Sequence, residues 1–138
     1  MRAWNPVLQP SAGDTRDAVA GGATSAEATV RASLRRAHDV DPDGERLRAF
    51  TQLDDALAIA AARDVDASRR EGDHRALLGV PVAVKDNIAT LGLRTTCGSR
   101  ILEGYVSPFE ATAVRRLRAA GAIVLGKTNM DEFGMGSS

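Results

Sequence analysis

The chain has one cysteine, two histidines and only 4% aromatic residues in 138. A lone cysteine, Cys97, excludes an internal disulfide framework and fits a reducing compartment. So few aromatic rings leave little material for stacking nucleobases. Charge of one sign is also missing. The 18 basic and 18 acidic residues cancel, so no electrostatic landing surface for nucleic acid or membrane is expected. No apolar run is long enough for a transmembrane helix. The opening "MRAWNPVLQPSAGD" has no apolar core of the signal-peptide kind. These absences predict a cytoplasmic protein with no membrane partner.

What is present is enough apolar residue, 43%, for one domain with a core. "DTRDAVAGG" predicts a short first helix stopped by Gly21 and Gly22. "TSAEATVRASLRRAHD" predicts a second, with Thr24 and Glu27 at capping-box spacing and Ala28, Leu34 and Ala37 as an apolar stripe. Residues 47–53 read as a short strand. Asp54 or Asp55 then caps an alanine-rich helix to about Arg70, with Leu57, Ala60, Ala61 and Val65 inward. From Leu77 the pattern changes. "LLGVPVAVKDNI" is a buried strand ending at a polar turn, and a long irregular stretch follows. "FEATAVRRLRAAG" is an amphipathic helix with Ala111, Val114 and Leu117 inward and Gly121 as its stop. "AIVLG" is a short buried strand. Helix and strand alternate without a repeat, which implies an α/β fold. Residues 1–76 read as a mainly helical lead-in and 77–138 as a strand-bearing, glycine-punctuated second part of the same domain.

"GAIVLGKT", residues 121–128, matches the phosphate-binding pattern G-x-x-x-x-G-K-[ST] at every fixed position. The context opposes that reading. Such a loop precedes a helix, and its N–H groups wrap phosphate. Here a helix comes before Gly121, and Ala122 to Leu125 are an apolar run suited to a buried strand. Gly126 and Lys127 are expected to mark the strand exit.

Lys85 is the lysine singled out. It follows Val80, Val82, Ala83 and Val84 with no polar residue between. In an interior strand its ammonium would be desolvated, and a neutral lysine can act as general base. The alternative is a lysine that ends its strand and reaches solvent, as most do.

"LLGVPVAVKDNIATLGLRTTCGSRILEGY" and "ATAVRRLRAAGAIVLGKTNMDEFGMGSS" resemble the N-terminal part of the amidase signature family. Gly-Val-Pro-Val-x-Val-Lys-Asp-Asn is the family core. "TTCGSRILEGY" and "GKTNMDEFGMGSS" favour its tRNA-dependent amidotransferase branch over general amidases. The similarity covers roughly residues 24–138. It implies the N-terminal portion of an amidase-signature fold, a mixed central sheet flanked by helices and incomplete in this chain. It also implies a Ser–cis-Ser–Lys triad whose lysine is Lys85, and a substrate-lining loop that includes Gly136 and Ser137. The reaction implied is release of ammonia from glutamine. A partner subunit would use that ammonia to convert Glu-tRNA(Gln) into Gln-tRNA(Gln) in protein synthesis.

Partners implied are subunits B and C of a heterotrimer, with the misacylated Glu-tRNA(Gln) reached through the complex. No cofactor is expected on this chain. ATP and Mg belong mainly to the partner subunit, and no metal site is expected here. The Gly-Gly-Ser-Ser-Gly-Gly-Ser segment that carries the family's serines is not among these residues. The expectation is therefore a chain truncated before the catalytic serines and inactive alone. The alternatives are a general amidase acting on another carboxamide and a non-catalytic fragment.

The remaining polar residues carry plainer expectations. His38 and His74 are solvent-exposed, and Cys97 is a small packing residue. Asp86 and Asn87 fix the turn after Lys85 through side-chain to backbone hydrogen bonds. Asp131 and Glu132 cap a short helix. Gly134 and Gly136 supply either an anion-binding nest or a plain turn.

Overall fold

A computed structural model describes residues 10–42 and 47–136. Among these residues four α-helices, α1 (Ala12–Ala20), α2 (Ala26–Val40), α3 (Asp55–Arg70) and α4 (Thr112–Ala119), flank three strands, β1 (Phe50–Leu53), β2 (Pro81–Lys85) and β3 (Ile123–Thr128). Single 3-10 turns lie at Arg100–Leu102 and Glu132–Gly134. The expected mixed sheet flanked by helices is present. Strand order is β1-β3-β2, with β3 antiparallel to β1 and parallel to β2.

Capping differs in detail from the sequence expectation. The capping box sits on α1, where Ser11 and Asp14 exchange bonds. On α2 the cap is Ser25, not Thr24; its hydroxyl accepts from the Ala28 N–H at 3.0 Å. Glu27 turns outward to Arg31 and Arg63. The α2 stripe is Ala26, Val30 and Leu34, spaced by four, while Ala28 is exposed. On α3 the cap is Asp54, and the buried positions are Ala58, Ala62, Val65 and Asp66; Ala60 faces solvent. The apolar alanines were visible in the sequence, but their abundance blurred which of them faced the core.

The core has two parts, one on each face of the sheet. Val19, Val30, Leu34, Ala58, Ala62, Val65 and Leu78 pack with Ile123 and Leu125. Val84, Leu93 and Val114 pack with Val124. Strand pleating sends Ile123 and Leu125 one way and Val124 the other. β2 and β3 then slip register, so that Val82 faces Val124 but Ala83 faces Gly126. Leu125 is the extra residue of a bulge, and the bulge shifts every later side chain of β3 by one step.

Gly126 is fixed by a close approach of backbone. A Cβ there would lie 2.1 Å from the Gln52 carbonyl oxygen of β1. Gly121 takes φ +94° against the Leu78 backbone as the chain leaves α4. Both glycines of the phosphate-loop pattern thus serve the packing of β3.

Candidate functional site

β2 ends at Lys85, whose side chain is exposed. Pleating puts Val84 into the core and Lys85 on the other side. Lys85 lines an open depression of about 570 Å³ with Arg48, Asn129, Met130, Asp131 and Gly136. The depression lies where β2 and β3 end together, since Lys85 pairs with Thr128. Its far wall is the turn after β3. There Phe133, Gly134 and Gly136 take φ of 52°, 72° and 72°. Two site residues named from the sequence, Lys85 and Gly136, therefore share one depression. The third, Ser137, lies outside the described residues.

The desolvated lysine is Lys127. It does not mark a strand exit, because β3 continues to Thr128. Its side chain is completely buried, and the ammonium donates to the carbonyls of Ile88 (2.8 Å) and Arg94 (3.2 Å) and to Thr95 Oγ1 (3.1 Å). Asp86 Oδ1 stands 3.4 Å away, equally buried. Burial pushes the Lys127 ammonium below its ordinary pKa, and the Asp86 carboxylate opposes that shift. An ammonium with its three donors committed inside the protein is closed to a phosphate group.

The Asp86 side chain reaches past the turn after Lys85, which closes through its backbone, with the Ile88 N–H donating to the Lys85 carbonyl. The Asp86 carboxylate accepts from the Thr96 N–H at 3.2 Å and from the Thr96 hydroxyl. Cys97, half-buried with φ 54°, donates its N–H to the Asp86 carbonyl. Glu132 accepts from the Ser99 hydroxyl at 2.5 Å instead of capping the turn it begins. His74 is exposed, and His38 meets Asp55 at 3.2 Å on the surface. Among the described residues no cluster of His, Cys, Asp or Glu could hold a metal ion, and no helix is long and apolar enough to cross a membrane.

The signal for Lys127 was there in part. It follows Ile123, Val124 and Leu125 as Lys85 follows Val80 to Val84. Which of two lysines goes inward depends on pleat parity, and the bulge at Leu125 resets that parity without any sequence mark.

Lys85 thus stands at the end of a parallel strand pair in a mixed α/β sheet and faces a glycine-bearing turn. The chain belongs to the Amidase family, whose profile matches residues 28–138. It is 48% identical over 133 residues to the glutamyl-tRNA(Gln) amidotransferase A subunit from Roseiflexus castenholzii, covering 96% of this chain and 26% of that protein. Against the Myxococcus xanthus counterpart the identity is 52%, over 87% of this chain and 24% of the relative. Among solved structures it resembles the peptide amidase of Stenotrophomonas maltophilia, at TM-score 0.84 and 37% identity, over 93% of this chain and 26% of that one. The Thermotoga maritima structure of the amidotransferase A subunit gives TM-score 0.61 at 40% identity, over 82% and 22%. The chain thus spans about a quarter of the length of these relatives.

Proposed function

We propose that this chain supplies the lysine-bearing segment of an amidase that takes ammonia from glutamine for a tRNA-dependent amidotransferase. The observation that carries the reading is the shared depression of Lys85 and Gly136. Lys85, in its neutral form, would take the proton of one serine, which relays it from the nucleophilic serine. The nucleophile attacks the amide carbon, the C–N bond breaks and ammonia leaves with a proton. Water then releases glutamate. The two serines belong to the segment not found among these residues, so the activity belongs to a protein that carries lysine and serines together. A lysine base also needs desolvation, and the depression is open. The relatives, about four times as long, have further chain with which to close such a depression.

The glutamine reading rests on identity of about half to the amidotransferase relatives, while among solved structures the amidotransferase A subunit and the peptide amidase stand at 40% and 37%. The same comparison keeps a second reading alive, because the backbone superposes better on the peptide amidase. Subunits B and C, ATP and the misacylated tRNA enter only with the first reading.

The test is ammonia release by the amidase that carries this segment, with free glutamine and with a C-terminally amidated peptide as competing substrates. Lys85→Ala is expected to reduce release to background with an unchanged melting temperature. Wild-type rates in that variant would sink the lysine assignment. Preference for the peptide amide would move the function to the second reading.

A further inference from the structure

A strand of valine, isoleucine and leucine could have ended in another aliphatic residue. Instead β3 buries a lysine, and Asp86 buries a carboxylate opposite it. Burying two charges is seldom the cheaper way to gain stability, so the pair calls for a role in geometry. We propose that Lys127 and Asp86 are positioning residues that set the two walls of the Lys85 depression relative to each other. The inference rests on the reading of Lys85 as the amidase lysine.

The connections run outward from Lys127. Its ammonium gathers two carbonyls and one hydroxyl from the loop between Ile88 and Thr95. None of those carbonyls belongs to a strand of the sheet. Asp86, directly after Lys85, ties the far end of that loop through Thr96. Lys85 therefore stands at the mouth of a loop held closed from within. The same loop grips the opposite wall. The Cys97 carbonyl accepts from the Phe133 N–H at 2.9 Å, and Ser99 bonds Glu132. Gly98 lies under the Met130 carbonyl, so close that a Cβ would come within 2.6 Å of its oxygen. Met130, Gly134 and Gly136 form the wall that faces Lys85. One buried charge pair thus anchors the turn after Lys85 and, through residues 97–99, the turn after β3. Loss of the pair releases both walls while the aliphatic cluster on the other face of the sheet stays packed.

The chain contains two lysines, so lysine carrying ¹³C at Cε gives two side-chain signals, one for each site. Lys127→Met in the full chain is expected to shift the Lys85 Cε signal and the backbone amides of Gly134 and Gly136, which Lys127 does not touch. The amides of Val19 and Val30 should stay in place. In the hydrolysing enzyme the same change should lower kcat by about a hundredfold, the scale of a 1 Å misplacement, with KM little altered. Should Lys127→Met fail to fold, Thr95→Val, which removes one of the three acceptors, is read for the same signature in smaller measure. A folded variant with unmoved Lys85, Gly134 and Gly136 signals and unchanged kcat overturns the proposal. These signals do not depend on amide hydrolysis. If Lys85→Ala left hydrolysis intact, the functional reading would fall while the resonances still reported on the walls.

Discussion

The two faces of the sheet are held by different forces. Toward α2 and α3, the side chains of Val30, Leu34, Ala58, Ala62 and Val65 meet Ile123 and Leu125 without a charge among them. Toward the loop of residues 86–97, a small cluster of Val84, Leu93, Val114 and Val124 gives way to Lys127, Asp86 and Thr95. Aliphatic packing is non-directional and tolerates substitutions of similar volume. A buried ammonium with three acceptors fixes angles as well as distances. Hydrogen bonds set the geometry of the face that holds Lys127 and Asp86, and Lys85 leaves the shared end of β2 and β3 on the opposite side, one residue from that network.

Removing one charge gives the largest expected effect. Lys127→Met leaves Asp86 buried without its cation and is expected to cost about 3–5 kcal/mol in denaturant unfolding. Adding Asp86→Asn should recover part of that loss, because no unpaired charge then remains. On the aliphatic face, Ile123→Ala should cost about 2–5 kcal/mol, with no neighbouring change that restores it. If the double variant were as unstable as the sum of its two single changes, the faces would not differ in kind.

This contrast also decides what the sequence could reveal. Leu34 announces itself through spacing while Val30 does not stand out among its alanine neighbours, and α2 and α3 lie close to where periodicity puts them. Ser25, Asp14 and Asp54 use short-range capping chemistry, yet the exact cap moved by one residue from Thr24. The family motif around Lys85 named the candidate site, and Gly136 fell beside it. Lys127 stayed hidden for two reasons. Its partners lie 32 to 41 positions away in the chain, and the Leu125 bulge hides which way it points. Its match to a phosphate-binding pattern drew attention to a chemistry that the fold forbids.

Gly126 offers a smaller test at the seam between the faces. Gly126→Ala places a methyl group against the Gln52 carbonyl and must push β1 away from β3. The expected cost is about 1–3 kcal/mol, read from denaturant midpoints. Because β1 pairs only with the C-terminal part of β3, hydrogen exchange should accelerate at Leu53 and Asp54 before it does in β2. Equal acceleration in both strands would show that the sheet gives way as one unit.

Asp66 is a buried carboxylate on the aliphatic side, and it holds a helix end. From α3 it accepts the N–H groups of Ala26 at 2.7 Å and Glu27 at 3.0 Å, the first two of α2. These donors have no partner within their own helix. Asp66→Ala leaves the fully buried Ala26 N–H unpaired and is expected to cost about 1–2 kcal/mol, a typical loss for a helix cap. Asp66→Asn keeps an acceptor and should cost less. If the two substitutions were equivalent, charge and not the hydrogen bond would be what Asp66 contributes.

The mildest expected effect comes from the surface carboxylates, and its direction follows from their pairing. The Arg63 guanidinium, then that of Arg31, holds the Glu27 carboxyl at about 2, against an ordinary 4.5. Arg75 does the same for Asp73, from 3.8 to about 2. In each case the folded state holds its proton less tightly than the unfolded chain. The stability these pairs contribute is therefore complete above about pH 4.5 and is lost as pH falls through 2. Exposed pairs of this kind are screened, so salt should flatten the acid slope. Lys127 predicts the opposite limb. Burial lowers its pKa, so the unfolded chain binds the proton more tightly, and this group favours folding more as pH rises toward 10.5. A melting-temperature profile at low and high salt checks both limbs. Glu27→Gln should remove part of the acid slope and leave the alkaline limb, which belongs to the buried pair, unchanged.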